Sequence, residues 1–263
     1  MSFHGCNFLS GLALCSMIAT ASHAEIVIHG TRVIYPSDAR EVTLQLSNNG
    51  SKPALVQAWI DEGDPKSTPD QSKVPFMITP PISRVEATKS QTLRITALPN
   101  ASTLNQQQES VLWLNVLDIP PKPTAKGGET VPDNFLQLAI RSRIKFFYRP
   151  STIKEDANLA ADKLQWQKSG QSLVIKNPTP FHITMTSIFQ VNDDKKVDLL
   201  PQGLMLKPFS EDRVQLKMSS TEKMSFINVN DYGGRVALLH KHSKAEFSPI
   251  HSNLRHNLGA RST

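Results

Sequence analysis

The chain has 263 residues, a formal net charge of +6 and only two cysteines. That length supports more than one core. The basic residues are spread along the chain with no zinc-finger spacing and no aromatic-rich nucleic-acid motif, so the charge reads as a solubility feature and no nucleic-acid partner is expected.

Residues 8–21 are mostly apolar and small, and Ser22-His23-Ala24 ends the run with small residues at the two positions a signal peptidase reads. No Lys or Arg precedes the run; only His4 could carry charge there. The stretch is short for a membrane span of roughly 20 residues, and strand-like sequence begins at Glu25, so a cleaved signal peptide over 1–24 is expected rather than a buried helix or an anchor. Cys6 and Cys15 both fall within it. The expected mature chain therefore relies on its cores rather than on disulfides, and offers neither a cysteine nucleophile nor a thiolate zinc site.

From Glu25 the pattern is strand, turn, strand. Residues 41–47 alternate, with Val42, Leu44 and Leu46 on one face, and Asn48-Asn49-Gly50 supplies a turn. Further strands are expected over 54–60, which carries Trp59, over 76–78 and over 92–96. Residues 109–117 are nearly continuously apolar, as in a strand covered on both faces. The stretch 120–134, with four prolines and two glycines, cannot hold a regular element. A long strand is expected over 135–148, and Arg149-Pro150 breaks the pattern at the expected domain boundary.

A second set of strands is expected over 172–176, 182–190, 213–217, 224–229 and 235–240, with only 155–164 reading as a short helix. Many short strands with frequent turns predict an all-β protein of two immunoglobulin-like β-sandwich domains, 25–150 and 151–263. Residues 242–263 read as an irregular polar tail.

Enzyme signatures are absent: no G-x-S-x-G elbow, no H-E-x-x-H helix and no glycine-rich phosphate loop. His240-Lys241-His242 could seed a metal site but has no carboxylate or cysteine near it in sequence, and Asn100-Ala101-Ser102 is a three-residue glycosylation match of little weight. Neither an enzyme nor a metal protein is expected. In residues 135–150, Leu136, Leu138 and Ile140 share one parity, while Arg141, Arg143 and Lys145 take the other. This is either a core-lining strand with a charged outer face or a strand that offers its apolar row to an incomplete partner. Burying three such side chains is worth about 1.5–3 kcal/mol each.

Residues 141–150, Arg-Ser-Arg-Ile-Lys-Phe-Phe-Tyr-Arg-Pro, closely resemble the signature of periplasmic chaperones of the chaperone–usher pathway, the PapD-like family. So do Thr31-Arg32-Val33-Ile34-Tyr35-Pro36, Gln57-Ala58-Trp59-Ile60, Pro80-Pro81, Asn177-Pro178-Thr179-Pro180-Phe181 and Asn230-Asp231-Tyr232-Gly233-Gly234, in family order. The resemblance implies a boomerang-like pair of sandwiches acting in the periplasm. Its partners would be pilus subunits that lack a strand and an outer-membrane usher, with no cofactor and no membrane insertion; a self-capping dimer of the free protein is left open. Arg32 and Lys145 match the residues that bind a subunit's C-terminal carboxylate. Leu136, Leu138 and Ile140 match the donor strand, and Glu109, Arg149 and Asp231 match an ion network between domains. From the residues alone those last three would pass as surface charges. The loop before residue 135 lacks the cysteine pair of long-loop members, which favours the short-loop branch. The rival readings are a secreted structural protein, such as an adhesin or a pilus subunit, and a β-sandwich enzyme.

Overall fold

Alternating side chains dictate strands with one buried face, and such faces are buried by pairing sheets. The computed structural model describes residues 26–122, 137–192, 195–217 and 223–239. The expected signal segment 1–24, Leu136, His240, His242 and the expected tail lie outside the described residues.

Nine strands make the first unit: β1 (Ile26–Ile28), β2 (Arg32–Pro36), β3 (Val42–Asn48), β4 (Ala54–Asp61), β5 (Phe76–Thr79), β6 (Ile82–Val85), β7 (Ser90–Ala97), β8 (Ser110–Ile119) and β9 (Ile140–Arg149). They form two sheets, β1-β3-β7-β5 and β2-β9-β8-β4-β6. Leu44, Leu46, Leu93 and Ile95 from one sheet meet Val56, Ile60, Leu114 and Phe146 from the other in a single core. Tyr35, Phe76 and Phe146 pack as an aromatic cluster, with ring centroids 5.3 Å apart for Tyr35–Phe76 and 4.8 Å for Phe76–Phe146. The pairing of β2 with β9 is parallel; β8 pairs with β9 antiparallel.

Eight strands make the second unit: β10 (Gln165–Ser169), β11 (Ser172–Lys176), β12 (Ile183–Asn192), β13 (Lys195–Asp198), β14 (Leu204–Leu206), β15 (Glu211–Gln215), β16 (Lys223–Val229) and β17 (Arg235–Leu239). The sheets are β10-β11-β15 and β13-β12-β16-β17, with β14 added to β12. Trp166, Ile175, Met185, Ile188 and Phe226 fill the second core. The two sets of strands pair within themselves and not with each other among the described residues. The architecture is two β-sandwiches.

The sequence expectations differ from the structure in three respects. The strand expected from residue 135 begins at Ile140. The helix expected over 155–164 is a 3-10 turn, Ala157–Lys163, in which Asn158 N–H donates to the Asp156 side chain. Its short run and its two buried alanines, Ala160 and Ala161, make it a packed connector rather than an amphipathic α-helix. The strands β2, β6, β10, β13 and β14 have no counterpart among the expected strands; at three to five residues they lie near or below the shortest run that alternation can mark.

Candidate functional site

The parallel β2–β9 pairing sets the cleft. Arg32 lies opposite Lys145, with Val33 opposite Phe146. Val33 and Phe146 are buried in the first core, so alternation turns Arg32 and Lys145 to the other face. There Lys145 Nζ donates to Thr184 Oγ1 on β12 at 3.1 Å, and Arg32 Nη1 donates to the Val229 carbonyl at the end of β16 at 3.2 Å. Both cations thus reach from the first sandwich to the second. A cleft of about 240 Å³ is lined by Thr31, Arg32, Lys145, Thr186, Val229 and Gly233. Arg32 Nε is buried there without a hydrogen-bond partner. Neither cation forms an ion pair among the described residues. Burial, with the neighbouring Arg32 charge added, pushes Lys145 down to about 8. Burial also lowers Arg32, opposed by the charges of Asp231 and Glu109 and reinforced by Arg149.

Beneath the cleft, three charges join the sandwiches. Arg149 Nε and Nη2 donate to Glu109 Oε1 at 3.1 and 2.9 Å. Its Nη1 and Nη2 donate to Asp231 Oδ2 and Oδ1 at 2.6 and 2.9 Å. Burial alone would lower the Arg149 pKa; the bonds to Asp231 and Glu109 outweigh it and raise the value. Glu109 Oε2 also accepts from the His182 backbone N–H at 2.9 Å and lies 3.1 Å from His182 Nδ1. Glu109 is only 3% exposed, so the surface-charge reading of its bare sequence context is wrong: a second domain covers it.

The Asn-Pro-Thr-Pro-Phe motif builds this junction. Asn177 is fully buried and its Nδ2 donates to the carbonyls of Phe181 and Lys207 at 2.7 and 2.8 Å. Its Oδ1 accepts from Thr179 N–H and Oγ1–H. The turn so fixed presents Phe181 under the Arg149 guanidinium, 5.2 Å from the ring centroid. In the second turn, Gly233 N–H donates to the Asn230 carbonyl and Gly234 N–H to Asn230 Oδ1, which holds Asp231 toward Arg149. Gly233 has φ +81°, and a Cβ there would lie 2.3 Å from Thr31 Oγ1. Only glycine lets that turn close on the first sandwich.

The outer face of β9 continues as a row of arginines over tryptophans. The Arg141 guanidinium lies 4.6 Å from the Trp59 ring centroid and that of Arg143 4.4 Å from Trp113. Both approach the buried Asp61, with Arg143 Nη2 at 2.5 Å and Arg141 Nη2 at 3.6 Å. Burial alone would raise the Asp61 pKa. Hydrogen bonds from Arg143, Asn115, the Gly63 N–H and Ser67 overcome it and hold the carboxyl below its usual range.

On the other parity of β9, Ile144, Phe146 and Tyr148 pack on the first core. Farther toward the strand's start, Ile140 is 47% exposed and Leu138, just before the strand, 63% exposed. The core ends before this apolar row does. Ile140 pairs with Asp118 of β8. Leu136, the third residue of the expected row, lies outside the described residues.

The structure therefore brings Arg32 to Lys145, and Glu109 to Arg149 and Asp231, across long sequence separations. Sequence reading missed Thr184 and His182, which have no local signal, and Gly233 as a contact; Gly233 had been legible only as a turn residue.

Comparison with known proteins agrees with this geometry. Residues 25–154 match the N-terminal domain of PapD, a pili and flagellar-assembly chaperone, and residues 159–239 match the C-terminal domain of the pili assembly chaperone PapD. The chaperone protein MrkB of Klebsiella pneumoniae is 44% identical over 230 residues, covering 86% of this chain and 96% of the relative. The probable fimbrial chaperone YadV of Escherichia coli is 38% identical over 230 residues, covering 84% and 92%. The crystal structure of the YadV chaperone superposes with a TM-score of 0.68 at 36% identity, covering 82% of this chain and 99% of that one. The Salmonella enterica SafB chaperone, solved in complex with the SafA pilin, matches with a TM-score of 0.67 at 26% identity, covering 82% and 95%. With both domain models matched in order along the chain, it belongs to the PapD family of pili assembly chaperones.

Proposed function

We propose that this chaperone captures pilus subunits in the periplasm by lending them the stretch from Leu136 to Ile140 that leads into β9, anchors each by its C-terminal carboxylate on Arg32 and Lys145, and passes it to an outer-membrane usher. The observation that carries the reading is the apolar row that runs through β9 and the residues just before it, buried at Phe146 and Tyr148 and open at Ile140 and Leu138. Strand addition is an established recognition mode in which main-chain bonds give affinity and alternate side chains give specificity, and chaperone–pilin pairing is among its known cases. Leu136 completes the row in this proposal. The SafB–SafA complex supports a pilin as the client.

The cleft supplies the second half. A carboxylate accepts several charge-assisted hydrogen bonds, and two cations without an ion-pair partner are complementary to one anion. The network of Glu109, Arg149 and Asp231 holds the two sandwiches in the relation that forms this cleft. Cleavage after Ala24 would release a mature chain of two domains, 25–150 and 151–263. Completion of the client's core provides the driving free energy, so the protein works without catalysis or cofactor. Among the described residues no helix is long and apolar enough to cross a membrane.

Co-purification from periplasm tests the reading. The wild-type chain is expected to carry a stoichiometric pilus subunit, identified by mass, and the Lys145→Ala chain to be recovered folded and empty. A folded Lys145→Ala protein that still supports pilus assembly would overturn it.

A further inference from the structure

β12 changes face at one residue. Met185 pairs with Asn228 and Ser187 with Ile227, so Thr186 is an extra residue on this strand. Ile183 and Met185 point into the second core before it and Ile188 after it. Thr184 and Thr186 thus share the face turned away from the core, and the bulge reverses the strand's parity only after them. The chain around it is tightly packed: a Cβ on Gly203 would meet the Met185 carbonyl oxygen at 3.1 Å and Thr186 Cα at 3.8 Å.

Thr186 lines the same cleft as Arg32 and Lys145. Thr184, two positions earlier, already holds Lys145. Thr186 Oγ1 is buried and has no hydrogen-bond partner among the described residues. Leaving a buried hydroxyl unpaired is unfavourable, and native proteins do so rarely. Arg32 Nε, of another residue lining this cleft, is likewise unpaired among the described residues. A guanidinium N–H can only donate and a hydroxyl can donate, so one acceptor in the cleft satisfies both. A terminal carboxylate offers about four lone-pair sites, so it can accept from a hydroxyl as well as from a guanidinium and an ammonium.

We propose that Thr186 is a further client-contact residue, its hydroxyl donating a hydrogen bond to the client carboxylate held by Arg32 and Lys145. The inference rests on the carboxylate-anchoring reading above and adds that the second sandwich contacts the client terminus directly.

The test uses the full mature chain and one synthetic strand peptide of alternating leucine and threonine, made with either a free C-terminal carboxylate or a C-terminal amide. Binding is measured by fluorescence polarisation for wild type, Thr186→Val, Thr186→Ser and Lys145→Ala. Loss of one hydrogen bond to a charged group predicts about tenfold weaker binding of the free acid by Thr186→Val, with amide binding unchanged and Thr186→Ser close to wild type. Unchanged acid affinity in Thr186→Val, while Lys145→Ala abolishes the preference for acid over amide, overturns the role of Thr186 and leaves the anchoring reading intact. No preference for acid in wild type, or its survival in Lys145→Ala, removes both. The melting temperature of free Thr186→Val is expected to equal or exceed wild type, because no bond is lost. A clear decrease would mean the hydroxyl is already satisfied and would also overturn the proposal.

Discussion

Arg32 and Lys145 stand opposite each other on adjacent parallel strands, yet each is tied to the second sandwich by a neutral partner, the Val229 carbonyl and the Thr184 hydroxyl. Two like charges held side by side in a partly buried cleft are costly to the free protein. An entering carboxylate relieves that cost and gains charge-assisted bonds together. On the proposed reading, the cleft favours an anion over the empty state.

The first prediction concerns pH. Lys145 titrates at about 8 in the free protein, and a bound carboxylate favours its charged form. Affinity should be level below about pH 8 and fall above it, with proton uptake on binding detectable calorimetrically in buffers of different ionisation enthalpy. Lys145→Arg, charged at any accessible pH, should flatten that profile if its larger head fits. Stability of the free protein moves the other way. The folded pKa lies below the usual 10.5, so between the two values the unfolded chain binds more protons and this group's contribution to stability rises with pH. Level affinity from pH 7 to pH 9.5 would exclude Lys145 from the anchor.

A second prediction treats Arg149 as the tie between sandwiches. Arg149→Ala leaves Glu109 and Asp231 facing one another, with Glu109 buried. Removing one partner of such a network costs about 3–5 kcal/mol. Urea unfolding should show that loss, and solution scattering should show a broader range of domain orientations. Wild-type values in both measurements would argue that the backbone contacts alone, such as Glu109 N–H to the Pro180 carbonyl, hold the junction.

The third prediction separates two uses of one strand face. Phe146 is fully buried and Leu138 is 63% exposed. Phe146→Ala should lower folding stability by about 3–5 kcal/mol. Leu138→Ala should change it by less than about 0.5 kcal/mol while weakening subunit binding, and Leu138→Asp should abolish binding by placing an unpaired charge in the client's groove. If Leu138→Ala instead unfolds the protein as Phe146→Ala does, the row belongs wholly to the chaperone's own core.

Gly233 provides a fourth. Its φ of +81° and the 2.3 Å approach to Thr31 Oγ1 leave no room for a side chain. Gly233→Ala should cost about 1–3 kcal/mol of stability through backbone strain alone. It should also displace the turn bearing Asp231 and weaken subunit binding. The paired change Thr31→Ala in the same chain should restore part of the binding but not the strain. Full activity and stability of Gly233→Ala would show that the two sandwiches do not need this contact.

Much of the fold was legible in the residues because alternation is a local property. Val42, Leu44 and Leu46 declare a one-sided strand wherever they occur, and the two faces of residues 135–149 separate by parity before any partner is known. Arg32, Lys145, Glu109, Arg149 and Asp231 could be nominated only through resemblance, since a lone charge in sequence carries no record of what faces it. Tertiary structure decided three things. It buried Glu109 beneath a second domain, it ended the first core between Ile144 and Ile140, and it brought Thr186 into the cleft of Arg32 and Lys145. Each depends on pairings between residues far apart in the chain, such as Arg32 with Lys145 or Arg149 with Asp231. Periodicity reports which side chains share a face; only the packed sheets determine what that face meets and where its cover stops.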